Sequence, residues 1–166
     1  MITITFTSQE LNVIKQYAKN AELGGKSNIR TKNRQETLSL DQLTGQCGEA
    51  ALSKLFTGNL DEYIQSRDKK DKTPWIGDGG SDLLDMGIDV KTSRMRAGKN
   101  FLYHLWVRPK EYHPKTIYYL ALMEPDIDDE VHFIGWVQGQ YLKFKDGRYY
   151  LRMDELNNML AGIDNP

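Results

Sequence analysis

The sequence predicts a mixed α/β or α+β fold, with helices covering one central mixed sheet of about five strands. Two observations point there: helical periodicity dominates the first third of the chain, and apolar runs with strand character follow one another after residue 80. At 166 residues, with 39% hydrophobic and 27% charged residues, the chain fits a single domain around one core.

Each element has a local cause. "ITITF" at residues 2–6 alternates apolar and polar positions and reads as a short strand. Thr7 and Glu10 have capping-box spacing, and Leu11, Ile14 and Ala18 form a helical stripe to about Asn20. Residues 21–39 lose periodicity and read as a polar, basic loop. A second helix is expected from about Asp41 to Phe56, with Leu43, Cys47, Ala50, Ala51 and Leu55 on its apolar face and Gly45, Glu49 and Leu52 beside it. Residues 57–80 are polar and rich in turn formers, including Pro74 and the "GDGG" of 77–80. Strands are expected in "SDLLDM", "GIDVKTSR", "FLYHLWV", "TIYYLALM" and "VHFIGWV". Tyr103, Trp106, Tyr118, Tyr119, Phe133 and Trp136 lie on these strands and are expected in the core rather than as base-stacking platforms. The tail, "LKFKDGRYYLRMDELNNMLAG", predicts an Asp-Gly hairpin and a short final helix from about Asp154.

Composition excludes several classes. No apolar run approaches the ~20 residues of a membrane span, and "MITITFTSQE" is too short and polar for a signal peptide, so a cytoplasmic protein is expected. The single cysteine, Cys47, cannot form an internal disulfide, and His104, His113 and His132 lack zinc-ligand spacing. The net charge of −1 hides a segregation: Lys91 to Lys115 holds seven Lys/Arg against Glu111, while "EPDIDDE" at 124–130 concentrates acids. That pattern allows a basic, nucleic-acid-binding face, and an ordinary solvated surface accounts for it equally well.

The chemistry is concentrated in "GDGGSDLLDMGIDVKTSRM", residues 77–95. Residues two apart in a strand share a face, so Asp89 and Lys91 project together while Ile88 and Val90 face the core. Folding the preceding strand back at Gly87 can bring Asp82 beside Asp89. Two close carboxylates repel unless one protonates or a cation sits between them. Hard divalent ions such as Mg²⁺ prefer such oxygen ligands. An acid-x-Lys triplet is weak on its own, since Asp68-Lys69-Lys70 also occurs, in a polar run with no apolar flank. Asp82 could instead cap the glycine-rich turn, Glu49 could be a solvated helix residue, and Asp85 reads as a surface position.

Together, "SD" at 81–82, "DVK" at 89–91 and "GQCGEAALSKLF" at 45–56 resemble the PD-(D/E)XK nuclease superfamily, which has a restriction-endonuclease-like core. The similarity runs from about 41 to 137, with Ser81 where the family's name puts proline. It implies a catalytic core at 41–137, an N-terminal strand, helix and basic loop at 1–40, and a C-terminal hairpin and helix at 138–166. It also implies a Mg²⁺-dependent endonuclease, with Mn²⁺ able to substitute. Asp82, Asp89, the Val90 carbonyl and Glu49 would hold the ion, and Lys91 would orient water or offset charge at phosphorus. Gln46, one helical turn before Glu49, could hydrogen-bond the same site. Arg94, Arg96 and Lys99, directly after the catalytic strand, and Arg30, Lys32 and Arg34 on the early loop are the candidate DNA contacts. Cutting both strands of double-stranded or branched DNA implies a homodimer. Restriction, homing, junction-resolving and phage nucleases share this site. "LAGID" at 160–164 is expected to be an accidental match to a homing-endonuclease motif, whose helix opens a domain in that family. The contrasting reading is a non-catalytic nucleic-acid-binding module whose Asp89 and Lys91 form a structural ion pair.

Overall fold

A computed structural model describes residues 1–24, 32–72, 87–95 and 103–158, with side chains for 1–20, 40–68, 87–95 and 103–158. Strand β1 (Ile2–Thr5) leads into helix α1 (Ser8–Gly24), followed by α2 (Lys32–Thr57) and α3 (Asp61–Lys72). Strands β2 (Ile88–Arg94), β3 (His104–Val107), β4 (Ile117–Met123) and β5 (Glu130–Gln138) come next, then β6 (Lys143–Lys145), β7 (Arg148–Arg152) and β8 (Asn157–Asn158). Among the described residues no helix is long and apolar enough to cross a membrane.

The fold is mixed α/β. Its larger sheet runs β1-β5-β4-β2, with β8 also on β5; β2 is parallel to β4, and the other pairs are antiparallel. A second, antiparallel sheet runs β3-β7-β6. Strand β4 explains the layering, because both of its faces are buried. Tyr119, Ala121 and Met123 join Ile88, Val90, Phe133 and the apolar residues of the helices in one core. Tyr118, Leu120 and Leu122 join Leu105, Val107 and Leu151 of the smaller sheet in another.

The helices follow their sequence signals closely at the start of α1, where the Thr7 amide donates to Glu10 Oε2 (2.7 Å) and the Glu10 amide to Thr7 Oγ1 (3.2 Å). Lys54 of α2 then ion-pairs with Glu10 at 2.8 Å, tying the two helices together. Small residues let α2 nest into the middle of the molecule: Cys47, Ala50 and Ala51 are fully buried, and a side chain added at Gly48 would collide with Thr92 of β2. Burial pushes the Cys47 thiol up to about 12, with the Asp128 carboxylate adding to it, which leaves the sulfur unreactive.

Four expectations need correction. Helix α2 begins at Lys32, so much of the expected basic loop is helical. The turn-rich stretch after residue 57 contains α3, because Leu60, Tyr63 and Ile64 recur at helical spacing and bury against α2. "HLWV" leaves the central sheet for the smaller one, where Trp106 stands 42% exposed rather than in the core. The expected final helix is a single 3₁₀ turn, Met153–Glu155, followed by β8; the residues beyond 158 lie outside the described residues. The Asp-Gly hairpin does form, with Asp146 (φ 51°) and Gly147 (φ 74°) both left-handed, as its two-residue turn demands.

Arg94 closes the connection between β4 and β5. Its guanidinium donates to the carbonyls of Glu124 (3.0 Å) and Pro125 (3.1 Å) and to Asp128 Oδ1 (2.8 Å), while Lys15 reaches Asp128 Oδ2 at 3.1 Å. Burial alone would raise the Asp128 carboxyl, but hydrogen bonds from Lys15 and Arg94 outweigh it and hold the group below the usual carboxylate range. A depressed folded value stabilises the protein above the unfolded pKa of ~3.9, and that contribution fades as pH falls through the lower folded value. Asp128→Asn is therefore expected to cost about 2 kcal/mol at pH 7 and to lose less stability than the native protein between pH 4 and pH 2. Urea unfolding across that range measures it; parallel pH profiles for the two proteins would contradict it.

Candidate functional site

Strand β2 stands at one end of the larger sheet among the described residues, and its two faces do different work. Ile88 and Val90 enter the core beneath α2, and Arg94 reaches α2 through a 3.4 Å contact with Thr44. Asp89, Lys91 and Ser93 alternate onto the face shared by Tyr118, Leu120 and Leu122 of β4, their register partners. Asp89 is buried there, at 3% exposed. Such a carboxylate loses several kcal/mol of hydration unless a cation compensates it. Lys91 does so, with Nζ 2.8 Å from Asp89 Oδ2.

The same ammonium lies 3.3 Å from Glu111 Oε2, so two carboxylates converge on it. Glu111 sits on the 3₁₀ turn Pro109–Glu111 and is held by Tyr118. The Tyr118 hydroxyl donates to the Glu111 carbonyl (3.0 Å) and accepts from the His113 amide (2.8 Å). Burial raises the Tyr118 phenol, opposed by its bond to the His113 backbone and reinforced by the nearby Asp89 charge, so the phenol stays protonated and can donate. Sequence reasoning missed Glu111. Its one distinguishing signal was being the single acid in the basic stretch from 91 to 115.

Glu49 stands on α2, which packs on the Ile88, Val90 and Thr92 face of β2, opposite the face that carries Asp89 and Lys91. Helix residues advance by about 100° each. Gly48 faces Thr92, while Cys47 and Lys54 lie on the side over the Asp128 turn, α1 and β1, where Lys54 also donates to the Thr5 carbonyl. Glu49 falls on the other side, toward α3. There it ion-pairs with Arg67, whose guanidinium lies 5.6 Å over the Tyr63 ring. Arg67 was also missed, because its segment read as turns; its spacing of i+7 from Leu60 was the available signal.

Asp82, Asp85, Arg96, Lys99 and Arg30 lie outside the described residues, and Lys32 and Arg34 are described only as backbone in α2. Val90 sits between Asp89 and Lys91 with its side chain in the core. Two assignments change. Arg94 is 10% exposed and spent on the β4–β5 connection, which removes it as a phosphate contact. Gln46 is buried and accepts a 2.8 Å hydrogen bond from Tyr63, so it joins α2 to α3.

Among the described residues no cluster of three or more His, Cys, Asp or Glu side chains gathers as a metal site. Asp89 and Glu111 are nevertheless two hard oxygen donors drawn to one point, a donor chemistry suited to Mg²⁺ or Mn²⁺. No family model, curated protein or solved structure matches the chain.

Direct contact implies energetic coupling. Asp89→Asn and Lys91→Met, made singly and together, are expected to show a coupling of about 1–3 kcal/mol in urea unfolding. Additive effects would mean that the two charges do not sense one another.

Proposed function

We propose that the chain is a Mg²⁺-dependent DNA endonuclease with a restriction-endonuclease-like core, hydrolysing phosphodiester bonds in double-stranded or branched DNA. The observation that carries this reading is the Asp89–Lys91 pair: an acid and a lysine two residues apart, in contact, on a strand at the end of a mixed sheet. Glu49 stands on α2, the helix that covers the other face of that strand.

In this reading Asp89, the Val90 carbonyl and Asp82 would hold the ion, with Glu49 completing the set and Glu111 a further donor. Bound Mg²⁺ would neutralise charge at the phosphate and acidify water. Lys91 would hold the attacking water in line and offset the charge growing on the phosphoryl oxygens. Asp89 would keep that ammonium charged and oriented. Arg67 would balance Glu49 until a cation took its place. Arg30, Lys32, Arg34, Arg96 and Lys99 remain the basic groups proposed to meet phosphates, and two copies of the chain would cut the two strands. A cytoplasmic location accords with such a substrate.

One observation favours the alternative of a non-catalytic module: the acids already have cationic partners, Asp89 in Lys91 and Glu49 in Arg67. The two readings separate in one experiment. Supercoiled plasmid is expected to be nicked or linearised with Mg²⁺ and untouched with EDTA. Asp89→Ala and Lys91→Ala should each slow cleavage by about 100-fold or more. Equal cutting by all three proteins, or cutting by none, would overturn the nuclease reading.

A further inference from the structure

The smaller sheet has one face in the core and one toward solvent. Leu105, Val107 and Leu151 turn inward against β4 and β5. The alternation puts His104 and Trp106 of β3, Arg148, Tyr150 and Arg152 of β7, and Lys143 and Lys145 of β6 on the outer face. Register makes this a single tract: Trp106 is opposite Tyr150, which is opposite Lys143, while His104 is opposite Arg152 and Lys145 opposite Arg148.

The rings form one group. Trp106 and Tyr150 have centroids 5.4 Å apart and tilted by 30°, and His104 lies 5.7 Å from Trp106 at 34°. The Arg148 guanidinium sits 5.8 Å over the Trp106 ring. Aromatic surface this accessible forfeits the favourable burial that large rings usually find, with Trp106 42% exposed. Cations frame it on both sides. At one end Lys143 pairs with Glu155, and Arg152 with Asp154 at 2.7 Å. At the other, Lys145 and Arg148 face no carboxylate partner among the described residues.

We infer that this face binds single-stranded nucleic acid, stacking two or three unpaired bases on Trp106, Tyr150 and His104 and placing phosphates against Arg148 and Lys145. The chemistry selects this ligand over others. Flat π-surfaces accept any base whose face is exposed, which a duplex conceals within its own stack. Adjacent cations at a backbone's distance fit a polyanion, whereas a neutral sugar polymer would use the rings and leave Arg148 and Lys145 without purpose. The surface lies apart from Asp89 and Lys91, which occupy the larger sheet, so binding here needs neither a metal nor cleavage.

Fluorescence anisotropy with a labelled 12-nucleotide oligothymidine, in EDTA, tests it. The native protein is expected to bind this strand, with an affinity that falls as salt rises. Trp106→Ala should weaken binding at least tenfold, and Arg148→Ala should weaken it and reduce the salt dependence by about one ion. Both positions are solvent-facing, and circular dichroism confirms that the variants fold. The assay contains no divalent metal, so a failed nuclease assignment leaves this result intact. No binding, or affinity for the strand unchanged in both Trp106→Ala and Arg148→Ala, would overturn the inference.

Discussion

A carboxylate buried at Asp89 is tolerated because an ammonium two residues further along the same strand reaches it. Alternation alone puts the two groups on one face of β2, and the parallel pairing with β4 sets Tyr118 beside Asp89. From there the constraint propagates. Tyr118 fixes the turn that carries Glu111, and Glu111 returns to the same ammonium. A local repeat of two residues thus assembles a charge cluster from three parts of the chain.

The opposite face of β2 supplies the rigidity. Helix α2 lies against it so closely that Gly48 leaves no room for a side chain above Thr92, one residue beyond Lys91. Close approach of this kind fixes the helix in rotation as well as in distance, which determines where Glu49 is carried. Arg94 then anchors the far end of β2 to the β4–β5 connection. A strand held along one face and at one end is a firm mount for a charged pair, whose usefulness depends on geometry held within a fraction of an ångström.

Much of this was legible in the residues. The alternation of β2 and β5, the continuous apolar run of β4, the capping box of Thr7 and Glu10, and the left-handed turn at Asp146-Gly147 all express local rules, and the chain obeys them. What escaped was of two kinds. Helix α3 is too polar to announce itself, and its Leu60, Tyr63 and Ile64 stripe is short. The departure of β3 into a second sheet depends on long-range pairing with β7, which no local pattern encodes. The candidate site divides the same way. Asp89 and Lys91 follow from strand periodicity, whereas Glu111 and Arg67 arrive through tertiary folding. Arg94 shows the reverse error, since a basic residue beside a candidate site can be wholly occupied by carbonyls and an aspartate.

We propose that the Asp89–Lys91 cluster is a cation-binding, hydrolytic centre rather than a static ion pair. Electron paramagnetic resonance of free Mn²⁺ titrated with protein measures this without relying on any substrate. The account requires the free-ion signal to fall as native protein is added and to remain when Asp89→Asn replaces it. Identical loss with both proteins, or a signal that millimolar native protein leaves untouched, would contradict it.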